Sequence, residues 1–188
     1  REFLPMVGNK RQLSFGYFGT LEQHRGIEDL IHLVKIQRNT RIVIGGRGPL
    51  SEFVRAEAKA CDRIQFNGSY FPDQLPELTR KVDIYCSLYY QTKPLHSFAA
   101  PNKYFEHLAL GIPILLSAGT PYAEAVIHNE TGWIVEDGWA ALDAWYNKVR
   151  EDVSSFEYRA ENARTLWSEQ YSGWLEQQRQ TLLAYRNN

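Results

Sequence analysis

Short apolar runs alternate with helical patterns along most of the chain. The segments "LSFGYFG" (13–19), "RIVIGG" (41–46), "RIQFNG" (63–68), "VDIYCSL" (82–88), "IPILLS" (112–117) and "GWIV" (132–135) read as strands. Between the first two, "RGIEDLIHLVKI" sets Ile27, Leu30, Ile31, Val34 and Lys35 at helical spacing. "PLSEFVRAEAKAC" predicts a second helix with proline near its first turn, and "FPDQLPELTRK" a polar helical segment interrupted by Pro76. A helix over 101–111 leads into the fifth strand, and "PYAEAVIHN" is a short one after it. Strands alternating with helices imply right-handed crossovers and a parallel sheet covered on both faces.

From Gly138 onward the pattern is helical only. Trp139, Leu142, Trp145, Tyr146 and Val149 form one stripe; Trp167, Tyr171, Trp174, Gln178, Leu182 and Tyr185 form another. All five tryptophans lie after residue 132. With no internal repeat, low-complexity tract or interior linker, the expectation is a single α/β domain over 1–188, its core at 13–138 and a helical extension at 139–188.

At 188 residues and 44% hydrophobic composition the chain can build one substantial core. With 21 basic against 22 acidic residues it has no electrostatic case for a nucleic-acid partner. Cys61 and Cys86 form no CxxC and read as thiols in a reducing cytosol rather than a disulfide. No apolar run approaches the roughly 18–20 residues of a transmembrane helix. The chain opens on Arg1, which suggests a piece of a longer protein.

In an open parallel sheet, ligands bind beyond the carboxyl ends of the strands. Those ends carry Gly19, Thr20 and then Arg25; "GGRGP" (45–49); Gly68, Ser69 and Tyr70; the loop "YYQTKPLHSFAA"; and Ser117, Gly119 and Thr120. Glycines admit a ligand close to the backbone and Arg25 supplies a planar cation, a set suited to a phosphate-bearing ligand. The helix that begins Pro101-Asn102-Lys103 adds free N–H groups and a lysine, which attract an anion. Glu106, one turn on, sits between Phe105, Leu108 and Ala109, residues expected to face the core. Its carboxylate needs donors, which two sugar hydroxyls would supply; a solvated pair with Lys103 at i, i+3 is the plainer alternative.

Other chemistries find no support. No Asp-x-Asp handles a divalent metal, and the five histidines show no ligand spacing with one another or with the cysteines. Neither a Walker loop nor G-x-G-x-x-G occurs, and no serine has a nucleophile-elbow context. His96 alone among the histidines is placed where a base could act.

The run "SFGYFGTLEQHRGIEDLI … RIVIGGRGP … RIQFNGSYFPDQL … VDIYCSLYY … PNKYFEHLALGIPIL … PYAEAVIHNETGWIV" resembles the C-terminal half of GT-B fold glycosyltransferases, family 4 above all, over about residues 13–138. The resemblance implies a Rossmann-like half that binds a sugar nucleotide, with a separate N-terminal half for the acceptor. It implies that Gly19 and Thr20 close the first strand at the donor and that Arg25 contacts its diphosphate, with Lys103 and Asn102 at the adjoining helix start. It implies further that Gly68, Ser69 and Tyr70 border the base, that Ala99 and Ala100 present N–H groups to sugar and phosphate, and that Glu106 holds the ribose hydroxyls.

Two positions depart from the family pattern. Thr20 stands for the usual arginine, and Phe98 for the first glutamate of E-x7-E, which contacts the transferred sugar. The family also implies a retaining, metal-independent transfer from a UDP- or GDP-type NDP-sugar to a glycan or lipid-linked acceptor in polysaccharide biosynthesis. It implies a cytoplasmic location, with peripheral membrane association of the longer protein left open. A non-catalytic nucleotide-binding domain and a sugar-nucleotide epimerase on the same fold are the alternatives; the epimerase would need carboxylates near the sugar, and Phe98 offers none.

Overall fold

The structure, a computed structural model, describes residues 6–7, 10–98 and 102–173. A two-stranded antiparallel ladder, β1 (Met6–Val7) with β2 (Lys10–Arg11), precedes the main sheet and was not foreseen in the apolar pattern. The main strands are β3 (Leu13–Thr20), β4 (Thr40–Arg47), β5 (Ile64–Phe66), β6 (Ile84–Ser87), β7 (Ile114–Ser117) and β8 (Gly132–Val135). They pair in parallel in the order β5-β4-β3-β6-β7-β8. This is the Rossmann-like order, in which the chain turns back at β3 and β6 and leaves a crevice between their carboxyl ends.

The sheet is buried on both faces. Leu13, Phe15 and Tyr17 point to one side and Phe18 to the other, each at most 2% exposed. The first side packs against α1 (Ile27–Ile36), α2 (Ser51–Ala60) and α6 (Trp139–Val149) through Leu30, Val34, Val54, Leu142 and Trp145. The second packs against α3 (Leu75–Leu78), α4 (Lys103–Leu110), α5 (Ala123–His128) and α7 (Val153–Leu166). One buried carboxylate pins the register at the crevice strands. Asp83 Oδ2 accepts from Ser14 N at 2.9 Å, while Asp83 N donates to the Ser14 carbonyl at 2.8 Å.

Several local expectations change. Pro76 does not interrupt a helix: a 3-10 turn covers Pro72–Gln74, and Pro76 then lies in the first turn of α3, where its missing N–H is harmless. Helix α4, expected over 101–111, begins at Lys103 with Asn102 as N-cap, while Ala99, Ala100 and Pro101 lie outside the described residues. Ala109 is exposed rather than core-facing. Lys35, placed on the apolar stripe of α1, is exposed and pairs with Glu57 at 2.8 Å. Helix α7, which no stripe marked, buries Phe156, Ala160, Ala163 and Leu166.

The C-terminal aromatics pack largely on this fold. Trp145 meets Phe15 and Trp133 edge-on, Trp133 meets Phe156 at 4.8 Å, and Trp139 meets His32 at 4.5 Å. Trp167 and Tyr171, in a π-helical turn that continues α7, pack beside Tyr104 and Phe105 of α4. Trp174, Gln178, Leu182 and Tyr185 lie outside the described residues.

Candidate functional site

An open cleft of about 580 Å³ lies at the carboxyl ends of the strands. Its walls are Gly19 and Thr20 after β3, Gly46 and Arg47 after β4, and Ser69, Tyr70, Phe71 and Gln74 after β5. Two glycines make it possible. With φ at 146°, Gly46 brings its Cα against the neighbouring strand, and a Cβ there would lie 1.8 Å from the Gly19 carbonyl oxygen. A Cβ on Gly19 would lie 2.7 Å from Nζ of Lys103, so the bare backbone lets that ammonium come up under the cleft wall.

Lys103 is the first residue of α4 and is only 8% exposed. Its Nζ lies 5.4 Å from the Tyr17 ring centre and 5.5 Å from that of Tyr89. It makes no ion pair among the described residues, so the solvated Lys103–Glu106 pair is not formed. Burial lowers its pKa to about 8, against the pull of Glu106 and with a further push from Arg25. Among the described residues the Lys103 ammonium meets ring faces and no ion-pair partner, an arrangement that an anion would complement.

Arg25 is held in a fixed pose beside it. Its Nε and Nη2 donate to Glu22 Oε1 at 2.8 and 2.6 Å, and its guanidinium carbon sits 4.1 Å from the Tyr89 ring centre. Glu22 Oε2 lies 3.7 Å from Lys93 Nζ. The Arg25 hydrogen bond holds the Glu22 carboxyl below the usual carboxylate range. Tyr89 thus gathers both predicted cations, Arg25 and Lys103, on one ring.

Glu106 is half-buried, and its Oε2 accepts from the Tyr85 hydroxyl at 2.7 Å. Tyr85 stacks on Phe18 at 5.7 Å, and Phe18 meets Tyr70 edge-on at 5.8 Å. Burial, then Glu106, push the Tyr70 phenol up to about 12. The loop between β6 and α4 is braced from two sides. Tyr90 donates to Asp29, and Asp137 Oδ2 accepts from Gln91 N at 2.5 Å.

The predicted residues therefore divide. Gly19, Thr20, Ser69 and Tyr70 line the cleft; Arg25, Lys103 and Glu106 do not, although Lys103 Nζ lies against Gly19 in its wall. Gly68 supports it from behind, its carbonyl accepting from Gly46 N at 2.7 Å. Asn102 is exposed at the start of α4, and Ala99 and Ala100 lie outside the described residues. His96 is only 3% exposed, with Nδ1 2.9 Å from the Tyr90 carbonyl and Nε2 without a partner among the described residues, and its ring meets that of Tyr89 edge-on at 5.4 Å. Phe98 is 80% exposed.

The sequence pattern did not mark Glu22, Tyr17, Tyr85 or Gln74, and it carried Arg47 and Tyr89 only as members of candidate loops. Tyr17 and Tyr85 lie within β3 and β6 and Tyr89 just beyond β6, and an OH-bearing ring on the two strands of the switch point was the available signal. Among the described residues no group of three or more His, Cys, Asp or Glu comes together as a metal site, and no helix is long and apolar enough to cross a membrane.

The family model for glycosyl transferases group 1 matches residues 7–166. No curated protein matches the chain. Among solved structures, the C-terminal domain of a glycosyl transferase group 1 family protein from Francisella tularensis is similar at 17% identity and TM-score 0.66, over 85% of this chain and 86% of that one. HepE from Anabaena, solved with UDP and glucose, is similar at 20% identity and TM-score 0.70, over 92% of this chain and 48% of that one. Sucrose-phosphate synthase from Thermosynechococcus elongatus is similar at 20% identity and TM-score 0.67, over 95% of this chain and 47% of that one. The chain thus spans about half the length of these last two proteins and most of the isolated Francisella domain.

Proposed function

The chain belongs to the glycosyl transferases group 1 family, and from that premise we propose that it is the donor-binding part of an enzyme that transfers a hexose-type sugar from an NDP-sugar. The observation that carries this reading is Lys103, a buried ammonium with no ion pair among the described residues, pressed against the bare backbone of Gly19 at the crevice between β3 and β6. A diphosphate placed over Gly19 and Thr20 would supply the missing charge. Glu106 then accepts from the ribose, and Ser69 and Tyr70 border the base.

The barrier in such a transfer is departure of the nucleoside diphosphate. Lys103 and Arg25 stabilise the charge that develops on it, in a cleft dried by closure of an acceptor-binding half over this one. Two fixed cations do this without a metal ion, so the reading is of a metal-independent enzyme, and family kinship makes it a retaining one. The acceptor, a glycan or lipid-linked chain, and any peripheral contact of this cytoplasmic enzyme with a membrane belong to the longer protein. The exposed Phe98, where the family has a carboxylate for the sugar, supports a second reading, a nucleotide-binding domain without turnover. Activity of the chain joined to its acceptor half separates the two.

The direct test is a thermal-shift and calorimetric series with UDP, GDP and ADP, with and without EDTA. A nucleotide at ten times its Kd stabilises the fold by about 1.4 kcal/mol. The expected outcome is a clear preference for one nucleoside diphosphate, unchanged by EDTA. Absence of any response at several millimolar would sink the donor-domain reading.

A further inference from the structure

Tyr85 has no place in the reading above, yet among the described residues it makes the one hydrogen bond to the Glu106 side chain. The phenol is 0% exposed and its ring is stacked on Phe18, so the hydroxyl is delivered from inside the sheet by a side chain with nowhere else to go. It donates to Oε2 of Glu106 at 2.7 Å. Glu106 stands on α4, whose position is fixed independently by Tyr104 and Leu108 in the core. The carboxylate is thus held from two elements at once, with Oε2 turned toward the sheet and Oε1 without a hydrogen bond among the described residues.

We infer that Tyr85 is a positioning residue for ribose recognition: it fixes the Glu106 carboxylate so that one oxygen, Oε1, is presented to a ribose hydroxyl. This rests on the proposal that Glu106 faces the ribose. An unanchored glutamate would have to surrender rotamer freedom on binding, and the anchor removes that cost before the ligand arrives. Tyr85 contributes to discrimination between ribose and deoxyribose without touching the nucleotide.

Calorimetry on the 188-residue chain tests this, with UDP, GDP and ADP and the 2′-deoxy form of whichever binds tightest. The readout is the ratio of the ribose to the deoxyribose affinity. Tyr85→Phe, which keeps the stacked ring, is expected to lower that ratio about fivefold to tenfold, the scale of one ordinary net hydrogen bond. Affinity for the deoxy form should stay within about twofold, because the diphosphate contacts are untouched. In a Glu106→Gln background Tyr85→Phe should have no further effect on the ratio.

Equal loss of both forms on Tyr85→Phe, or an unchanged ratio, overturns the inference. If Glu106→Gln itself leaves the ratio unchanged, or no nucleotide binds, the ribose reading fails and this inference with it. If Glu106→Gln abolishes the ratio and Tyr85→Phe does not, only the inference fails. Should Tyr85→Phe not fold, Glu106→Asp draws the carboxylate away from Tyr85 with its charge kept, and an undiminished ratio there is equally fatal.

Discussion

Lys103 carries its charge into a place that does not favour it. Burial holds its pKa near 8 against the usual 10.5, so between those values the unfolded chain binds more protons than the folded one. Stability therefore rises with pH through that window, and below about pH 8 the full cost of the buried charge, on the order of 3 kcal/mol, is present. Lys103→Met, similar in length and apolar, is expected to raise the unfolding midpoint at pH 7 and to flatten the rise in stability above pH 8. It should also remove most of the thermal shift given by a nucleoside diphosphate. A more stable variant that still binds normally would show that the ammonium is not aimed at the anion. In the unsubstituted chain the same titration predicts that nucleotide affinity falls as pH passes 8.

At the scale of elements, the crevice depends on how β3 and β6 are set beside each other. Both strands read as plain apolar runs, and neither carries in its pattern the instruction to pair with the other. Asp83 supplies part of it, exchanging hydrogen bonds with Ser14 from a position 2% exposed. Asp83→Ala leaves the Ser14 N–H without its carboxylate acceptor and is expected to cost about 2–3 kcal/mol in urea unfolding. A loss under about 0.5 kcal/mol would mean that strand pairing alone holds the register. The start of α4 is also an element-scale matter. Pro-Asn-Lys was readable as a helix entry, but whether Lys103 or Glu106 faced solvent depended on the strand beneath them. The sheet buried the lysine and gave the glutamate a tyrosine.

At the scale of the whole molecule, the C-terminal helices are part of the packing of the sheet. Phe156 of α7 reaches Trp133 on the edge strand β8, and Trp133 in turn reaches Trp145 of α6. Phe156→Ala is expected to cost about 3–5 kcal/mol in equilibrium unfolding. A change below about 1 kcal/mol would mean that α7 is only loosely attached to the sheet. The stripe of tryptophans that the sequence displayed is thus absorbed, for Trp133, Trp139 and Trp145, by this fold itself.

The sequence by itself determined the alternation of strand and helix, and with it a parallel sheet covered on both faces, because periodicity and buried apolar runs are local properties. It also determined which loops could form a site, since loops after parallel strands gather at one end. Local spacing left Glu106 divided between a sugar and Lys103, gave no role to Tyr17, Tyr85 or Tyr89, and left His96 open as a base. Tertiary structure decided what these side chains touch: folding brings the rings of Tyr17 and Tyr89 to Lys103, the hydroxyl of Tyr85 to Glu106, and the Tyr89 ring to His96. Desolvation and hydrogen-bond partners are set by what lies across the sheet, and periodicity along one strand carries no record of its neighbour.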